Sequence, residues 1–269
     1  MADTIANILS IAGSDPSGGA GVQADLKTFA ARRTYGMAVL TALTAQNTRG
    51  VSGVHLVPPA FVAAQIEAIF EDVRVDAVKI GMIASGEIAE AVANSLSPRR
   101  SLPIVLDPVM VAKGGASLLA QEAVEALTRR LLPLATVLTP NLPEAAALLG
   151  EPEAPDRAGM EDQAQRLLTL GPKAVLLKGG HLPGTQSPDV LATADRLHWF
   201  EGVRLLTRNT HGTGCSLSSA IAAELGKGRT LVDATAAAKS FIAGAVRSSD
   251  ALTVGSGHGP LHHFHALWN

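Results

Sequence analysis

The sequence predicts an α/β protein in which helices cover a mostly parallel sheet. Short apolar runs alternate with helical patterns along the 269 residues, and these runs lack the in-out alternation of a half-exposed strand. Apolar residues make up 47% of the chain and charged residues only 17%, below the roughly 25% that is usual, which indicates a large interior. Strands buried on both faces and joined through helices form parallel sheets.

The elements follow in order from these patterns. Six apolar runs predict strands: "NILSIAG", "GMAVLTALTAQ", "VDAVKIG", "PIVLDPV", "ATVLTPN" and "AVLLKGG". Four stretches between them predict helices: "PAFVAAQIEAIFEDV", "EIAEAVANSL", "QEAVEALTRRLL" and "MEDQAQRLLTLG". The stretches "GVSGVHLV" and "DVLATADRLHWFEG" predict hairpins, the second turning near Ala194 and Asp195. Long helices over residues 213–225 and 231–247 follow, and without a linker or repeat we expect one domain, residues 1–269.

Composition narrows the classes of function. We find no run of about 18 apolar residues that could span a bilayer, and no basic leader precedes the first apolar stretch, so a secretory signal is not expected. The formal charge of −2 provides no basic surface for nucleic acid. The single cysteine cannot form an internal disulfide, which fits a reducing cytoplasm. A small molecule is the expected partner.

Polar residues and glycines follow several of the predicted strands. They are Gly13 to Asp15, Gln46 and Asn47, Gly81 and Met82, Asp107, Asn141, and Lys178 to Gly180. In open α/β sheets, ligands bind outside the carboxyl ends of the strands. These loops are therefore expected to meet at one edge, which is the candidate active site.

The first loop, "GSDPSGGAGVQAD", follows a strand and opens a helix. Residues 19–24 fit the glycine pattern of dinucleotide sites, but that pattern needs an acid about 20 residues later, and residues 26–66 contain no Asp or Glu. A glycine-rich backbone surface for a flat ligand, with Asp25 facing the pocket, is therefore favoured over a plain turn or a nicotinamide site. The sequence also lacks a P-loop and a G-x-S-x-G elbow.

Four further residues suggest phosphate chemistry at the same edge. Asn141 and Glu144 have the spacing of a helix capping box, and Asp107 suits a turn. Together, however, two carboxylates on a ligand edge can hold Mg²⁺ through water. Lys178 follows an apolar strand and precedes two glycines, so it is a candidate for neutralising phosphate charge rather than only a surface lysine.

The stretch "NTHGTGCSLSSA" places Cys215 in the first turn of a predicted helix. Unpaired N–H groups at a helix start favour anions, and the same environment is expected to lower the pKa of the thiol below about 8.5. The cysteine could instead fill space, or act as a nucleophile with His211. The tail histidines in "HGPLHHFHALWN" could bind metal, but Leu261, Phe264 and Leu267 favour a docked segment.

The chain closely resembles the hydroxymethylpyrimidine and phosphomethylpyrimidine kinases of thiamine biosynthesis, within the ribokinase-like superfamily. The resemblance is carried by the blocks above and by "KIGMI", "VLDPVM", "TPNLPEA" and "LKGGH". The resemblance covers essentially the whole chain. It implies a three-layer αβα sandwich that binds ATP and Mg²⁺ at the carboxyl edge of the sheet, and a homodimer. It also implies phosphorylation of an aminopyrimidine alcohol and then of its monophosphate.

The resemblance also implies roles for individual residues. Cys215 would take the hydroxyl proton where the superfamily usually has Asp, and Gly212, Thr213 and Gly214 would stabilise the transferring phosphoryl group. Lys178, Asn141 and Thr210 would bind ATP or its phosphates, while Asp107 and Glu144 would organise Mg²⁺. The pyrimidine would contact Gly13, Asp25, Gln46, Met82 and Val109, with the Gln46 amide both donating and accepting. Adenine is expected near the last helices.

Three alternatives remain open at this point. A pyridoxine or pyridoxal kinase of the same superfamily shares the fold and sometimes the cysteine. A cysteine-dependent hydrolase would turn over substrate without ATP, and a non-catalytic binding module would bind the pyrimidine without forming ADP.

Overall fold

The computed structural model of the chain describes residues 4–110 and 121–268. Its strands are β1 (Asn7–Ala12), β2 (Tyr35–Leu40), β3 (Ala42–Asn47), β4 (Gly50–Leu56), β5 (Ala77–Ile80), β6 (Ile104–Leu106), β7 (Val137–Leu138), β8 (Ala174–Lys178), β9 (Asp189–Thr193) and β10 (Leu197–Phe200). Its α-helices are α1 (Gly21–Ala31), α2 (Pro59–Asp72), α3 (Gly86–Leu96), α4 (Gln121–Ala126), α5 (Leu142–Leu149), α6 (Arg157–Leu168), α7 (Thr213–Gly226) and α8 (Leu231–Arg247).

Eight of these strands form one sheet in the order β10-β9-β8-β7-β6-β5-β1-β2. Six neighbouring strands of this sheet are parallel: β8, β7, β6, β5, β1 and β2. Strand β9 runs antiparallel to β8 and pairs with β10 as a hairpin. The remaining strands, β3 and β4, form a separate antiparallel pair. The expected mostly parallel sheet is confirmed, and so is the hairpin turn near Ala194 and Asp195.

Helices cover both faces of the sheet in three layers. Side chains of α2 to α6 pack with one set of strand residues in a large apolar cluster. Side chains of α1, α7 and α8 form a second cluster on the opposite face. Neighbouring residues on one strand go to different clusters, as Ile8 and Leu9 of β1 do, because successive side chains of a strand point to opposite faces. The αβα sandwich is thereby confirmed.

Two predictions about strands are wrong. The run "GMAVLTALTAQ" is two strands, because the chain leaves the main sheet at Thr41, whose hydroxyl donates to the Met82 carbonyl. The run "GVSGVHLV" is not a hairpin by itself. It is β4, the second strand of a hairpin whose turn lies at Thr48 and Arg49 and whose first strand is β3.

Candidate active site

The carboxyl ends of the central strands open into a cavity of about 1300 Å³. All but one of the predicted site residues line it: Gly13, Gln46, Met82, Val109, Asp107, Asn141, Glu144, Lys178, Thr210, Gly212, Thr213, Gly214 and Cys215. The loops after β1, β5, β6, β7 and β8 all contribute to this lining. The prediction that they gather at one edge is confirmed.

The start of α7 lies tightly against the loop after β1. Gly212 has a φ of 80°, and a Cβ there would lie 1.8 Å from the Gly19 carbonyl oxygen, so only glycine fits. A Cβ on Gly214 would lie 3.3 Å from Lys178 Nζ and 3.5 Å from Asp107 Oδ2. The N–H groups of this first turn have no partner within the helix. The motif therefore forms an anion-binding type of surface beside a cation and an acid.

Cys215 is the third residue of α7 and is half-buried at the cavity wall. Burial raises the pKa of its thiol to about 11, and Asp107 and Asp25 act in the same direction. Lys79 and the N–H of Gly21, which hydrogen-bonds to the sulfur, oppose this rise. The prediction that the helix start lowers the thiol pKa is therefore wrong for the ligand-free protein, because desolvation and two carboxylates outweigh it.

Lys178 lies between two carboxylates at the end of β8. Its Nζ is 3.1 Å from Asp107 Oδ1 and 3.9 Å from Glu144 Oε2. Burial alone would lower the pKa of Lys178, but Asp107 and Glu144 outweigh burial and raise this pKa. Burial raises the pKa of Glu144 to about 7, with Asp107 adding to the rise and Lys178 opposing it. The second carboxylate is thus costly to ionise without a further cation.

Asn141 and Glu144 form the capping box that their spacing predicts. The Glu144 N–H donates to Asn141 Oδ1, and the Asn141 N–H donates to Glu144 Oε2, both at 2.8 Å. The capping interpretation is confirmed, and both residues still line the cavity. The cap fixes the Glu144 side chain about 4 Å from Lys178 Nζ.

Asp25 does not face the cavity, so that prediction is wrong. Its side chain is fully buried, and its two oxygens lie 2.9 and 2.8 Å from Lys79 Nζ. Ser10 and Ser219 also donate hydrogen bonds to it. Burial alone would lower the pKa of Lys79. The Asp25 carboxylate outweighs burial and raises this pKa well above its usual range. Both members of the pair act on Cys215: Lys79 lowers the pKa of the thiol, and Asp25 raises it by less.

Lys79 was not predicted from the sequence, and Asp15 was named only as part of the first loop at the candidate edge. Lys79 lies within β5, where all four residues are buried, and a lysine there needs a buried carboxylate partner. Asp15 lies in the loop after β1 and is 1% exposed. It accepts hydrogen bonds from the Ser17 N–H and hydroxyl and from the Ala20 N–H. Although burial opposes ionisation, His211 and Ser17 lower the pKa of Asp15 to about 2.

The His211 ring bridges Asp15 and Gln46. Its Nε2 lies 2.8 Å from Asp15 Oδ2 and 3.4 Å from the Gln46 amide nitrogen. The other end of that amide, Oε1, lies 3.3 Å from Thr44 Oγ1. The ring fits because residue 19 is a glycine, whose Cβ would lie 2.4 Å from His211 Cδ2. His211 thus contacts the predicted pyrimidine-binding residue, and among the described hydrogen bonds none joins it to Cys215.

Gly13 and Met82 shape the same part of the cavity. A Cβ on Gly13 would lie 2.2 Å from Met82 Cε, so the Met82 side chain needs a glycine at this position. Val109, two residues beyond Asp107, also lines the cavity. The cavity that contains the Gln46 amide thus also has apolar lining, as a flat polar ring would need.

The cavity continues along α8 away from Gln46. Ala236, Ile242, Ala243 and Val246 supply an apolar wall there. Lys239 also lines it and is held by Asp189 at 2.6 Å and by the Ser187 carbonyl at 2.9 Å. This apolar surface lies on the last helix, where adenine is expected.

The tail histidines belong to a docked segment. Leu261 is buried, Phe264 half-buried and Leu267 exposed. His263 Nε2 lies 2.9 Å from the hydroxyl of Ser216 in α7, and His211 donates its N–H to the Gly259 carbonyl. The segment therefore supports the turn that precedes α7.

The described ranges contain neither a cluster of metal-ligating side chains nor a membrane-spanning helix. Within residues 4–110 and 121–268, no three His, Cys, Asp or Glu side chains are grouped so that they could hold a metal ion. In the same ranges, no helix has the length and apolar character needed to cross a membrane.

Solved structures with this fold include two vitamin kinases. The Bacillus subtilis pyridoxal kinase in complex with ADP is similar with a TM-score of 0.89 and 36% identity, covering 98% of this chain and 99% of that one. The phosphomethylpyrimidine kinase of Clostridium difficile is similar with a TM-score of 0.79 and 43% identity, covering 88% and 97%. These likenesses agree with the ribokinase-like architecture expected from the sequence.

Sequence relatives are closer. The hydroxymethylpyrimidine/phosphomethylpyrimidine kinase of Escherichia coli is 53% identical over 262 residues, covering 97% of this chain and 98% of that protein. The enzyme of the same name from Rhizobium meliloti is 52% identical over 260 residues, covering 97% of both. The model of the phosphomethylpyrimidine kinase family matches residues 15–262. The chain therefore belongs to the phosphomethylpyrimidine kinase family.

Proposed function

We propose that this chain transfers the γ-phosphoryl group of ATP to 4-amino-5-hydroxymethyl-2-methylpyrimidine, and then phosphorylates the resulting monophosphate to the diphosphate. One observation carries the proposal: a single cavity joins a donor-acceptor amide at Gln46 to the phosphate-type surface of Gly212 to Cys215 and Lys178. The family membership and the names of the relatives support the same substrate.

The parts of the cavity suit the parts of such a reaction. Gly13, Met82 and Val109 would hold the pyrimidine ring, and Gln46 would pair with its polar edge. Asn141, Thr210 and Lys178 would bind the nucleotide phosphates. The N–H groups of Gly212, Thr213 and Gly214 would stabilise charge on the transferring phosphoryl group. The apolar wall of α8 is the candidate surface for adenine.

Asp107 and Glu144 fit a magnesium ion that also binds the nucleotide phosphates. Two carboxylates are too few for a protein-only site, but Mg²⁺ usually keeps waters and phosphate oxygens in its coordination sphere. The raised pKa of Glu144 supports this, because a nearby divalent cation would favour its ionised form. The ion would neutralise phosphate charge during transfer.

Cys215 would take the proton of the substrate hydroxyl in the first step. The second acceptor is a phosphate oxygen, which is already largely ionised near neutral pH, so the second step needs no such base. Asp25 would act indirectly, by holding Lys79, whose charge favours the thiolate more than the Asp25 charge opposes it.

Formation of ADP tests the proposal directly. Purified protein with ATP and Mg²⁺ should form ADP when the aminopyrimidine alcohol is added, with the monophosphate and then the diphosphate appearing in sequence. Turnover of the alcohol without ATP would support a hydrolase instead, and binding without ADP would support a binding module. Either result would refute the kinase proposal.

A second candidate substrate is pyridoxal, since structures of similar fold include the pyridoxal kinases of Bacillus subtilis and Staphylococcus aureus. Pyridoxal has a ring nitrogen but no amine on the neighbouring carbon, so it lacks the acceptor-donor pair with which a Gln46 amide can form two hydrogen bonds. In competition, we expect the aminopyrimidine alcohol to be phosphorylated in preference to pyridoxal or pyridoxine. The reverse order of kcat/KM would assign the chain to the second substrate.

We also propose that the chain is a single-domain, cytoplasmic homodimer. A reaction that consumes ATP suits the cytoplasm. Apolar side chains at Leu43, Val54, Leu56 and Phe61 are exposed on the β3–β4 hairpin and the start of α2, and a second copy would cover them. Light scattering should give about twice the 27.7 kDa chain mass, whereas a monomer at micromolar concentration would contradict the dimer.

A further inference from the structure

The amide of Gln46 has two orientations that differ only by a half-turn of its terminal group, which exchanges nitrogen and oxygen. One terminal position lies 3.4 Å from His211 Nε2 and the other lies 3.3 Å from Thr44 Oγ1. Which atom occupies which position decides how the amide presents a donor and an acceptor to a ring in the cavity. The hydrogens of the two neighbours settle this choice.

On the histidine side, Nε2 carries a hydrogen. Asp15 Oδ2 lies 2.8 Å from it, and the Asp15 carboxylate is ionised at neutral pH and can only accept. This holds whether the ring is neutral or charged, since Nε2 must donate in both cases. An amide N–H group facing that position would meet another N–H, whereas an amide oxygen can share the Nε2 hydrogen with Asp15 in a three-centre bond.

On the threonine side, the single hydroxyl hydrogen is already engaged. Thr44 Oγ1 donates it to the Ser14 carbonyl at 2.9 Å, which leaves lone pairs facing Gln46. An amide nitrogen can donate to those lone pairs, but an amide oxygen would only repel them. Both neighbours therefore favour the same orientation, with the oxygen toward His211 and the nitrogen toward Thr44.

We infer that Asp15 and His211 lock the Gln46 amide with its oxygen toward His211, and that His211 is thereby a positioning residue that selects 4-aminopyrimidines over 4-oxopyrimidines. This rests on the proposed function for the identity of the ring. The locked oxygen accepts from the 4-amino group, and the nitrogen donates to ring atom N3. A 4-oxo ring presents N3–H and a carbonyl instead, so it faces the amide with both groups mismatched.

The same orientation aims the substrate hydroxyl. In this pyrimidine, N3, the carbon bearing the amine and the carbon bearing the hydroxymethyl group follow one another around the ring. With the amine on the His211 side, the hydroxymethyl group extends further in that direction. His211 is directly followed by the Gly212 to Cys215 motif, so the acceptor oxygen is directed toward the proposed phosphoryl site. The opposite orientation would direct it away.

Substrate preference tests the inference. Wild type should prefer the 4-amino alcohol to its 4-oxo analogue by about 100-fold or more in kcat/KM, since two hydrogen bonds are mismatched. His211→Leu removes the donor and frees the amide to rotate, so this preference should fall by about tenfold or more. His211→Gln can place an N–H near the Nε2 position and should keep it within about threefold. A general loss of activity in His211→Leu at unchanged preference would overturn the inference.

Asp15→Asn provides a second route if His211→Leu unfolds. An asparagine whose nitrogen donates to Nε2 gives up the hydrogen bond from the Ala20 N–H, but it lets the histidine accept and the amide reverse, so the preference should again fall. Calorimetry of wild type with each pyrimidine, without nucleotide, separates this inference from the kinase proposal. Preferential binding of the amine without ADP formation would support the inference and refute the kinase. Equal affinities would overturn the inference even if ADP forms.

Discussion

The thiol of Cys215 is protonated at neutral pH in the ligand-free protein, because burial raises its pKa to about 11. If it takes the hydroxyl proton, Cys215→Ala should slow the first phosphorylation by about 100-fold or more, the usual contribution of a general base. The second phosphorylation should slow by less than about tenfold, since its acceptor is already ionised. Rates measured separately with the purified alcohol and the purified monophosphate check this.

Cys215→Ser is the matched control for that experiment. It keeps a side chain of similar size but replaces the thiol with a hydroxyl that ionises far less readily. It should therefore lose the first step as Cys215→Ala does. Equal losses in both steps for either variant would contradict a proton-taking role and leave Cys215 a packing residue.

The raised thiol pKa also predicts a pH dependence. A base must be in its ionised form, and kcat/KM reports the ionisation of the free enzyme. Since the thiol pKa is about 11, kcat/KM of the first step should continue to rise with pH above pH 8. The second step should lack this rise when measured in the same buffers. A first step that is flat from pH 7 to 9 would show that thiol ionisation does not limit it.

Glu144 provides a stability prediction with a definite sign. Burial raises its pKa from 4.5 to about 7, so the folded state binds more protons than the unfolded state between these pH values. Stability is therefore lost as pH rises through this window. Glu144→Gln keeps the capping box, since Gln also accepts from the Asn141 N–H. At pH 8, without Mg²⁺ and nucleotide, it should stabilise the protein by about 1–3 kcal/mol.

Urea denaturation at pH 8 and pH 5 measures this effect. The advantage of Glu144→Gln should shrink at pH 5, where Glu144 in the wild type is itself protonated. The variant should also need more Mg²⁺ for half-maximal activity. An advantage that is the same at both pH values would show that Glu144 ionisation is not its cause.

The sequence predicted the site residues that directly follow a strand, but it did not predict those that act through a buried partner. Asp107, Asn141 and Lys178 come directly after apolar runs, so the topology alone brings them together. Lys79 lies inside a strand, and its partner Asp25 is 54 residues away in the chain. The pKa of Cys215 depends mainly on burial of the thiol, which its position in the helix does not reveal, so the predicted direction was wrong.

At the scale of elements, the first turn of α7 depends on Gly212. Alanine at a φ of 80° costs about 1 kcal/mol in backbone strain, and its Cβ would collide with the Gly19 carbonyl oxygen 1.8 Å away. Gly212→Ala should therefore lose about 2–4 kcal/mol of stability. It should also lower kcat strongly, because the N–H groups of Gly212 to Gly214 move.

Gly228, just beyond the other end of α7, is the matched control. Its φ is 81°, but a Cβ there would meet nothing within 4 Å. Gly228→Ala should therefore cost only the backbone strain of about 1 kcal/mol and leave kcat unchanged. Thermal unfolding and steady-state rates of both variants measure the contrast. Similar kcat values for Gly212→Ala and wild type would rule out a catalytic role for this turn.

The sequence predicted long helices with a regular apolar face. It did not predict a strand break at which no glycine or proline occurs. Helix α8 was predicted with its exact bounds, because Thr230 caps its start and the apolar face repeats regularly. The break between β2 and β3 falls at Thr41, where no glycine or proline signals it. It is set instead by contacts with the Ala12 and Met82 carbonyls, which lie in distant parts of the chain.

At the scale of the whole molecule, the cavity draws on residues from Ala12 to Val246. The site also depends on the tail beyond α8. The buried His263 contacts Ser216 in α7, and the Gly259 carbonyl accepts a hydrogen bond from the His211 backbone N–H. We therefore expect protonation of a tail histidine at low pH to destabilise the fold around the site. Burial, with Lys27 nearby, lowers the pKa of His263 from 6.5 to about 4.

A histidine whose pKa is lowered on folding binds fewer protons in the folded state, so stability is lost as pH falls from 6.5 to about 4. The shift corresponds to at most about 3 kcal/mol. His263→Gln can still accept the Ser216 hydrogen bond but cannot become charged. Urea denaturation of the full chain should show wild type losing about 1–3 kcal/mol more than His263→Gln between pH 7.5 and pH 4.5. Parallel losses in the two proteins would mean that acid acts elsewhere and that the tail histidine does not control the fold of the active site.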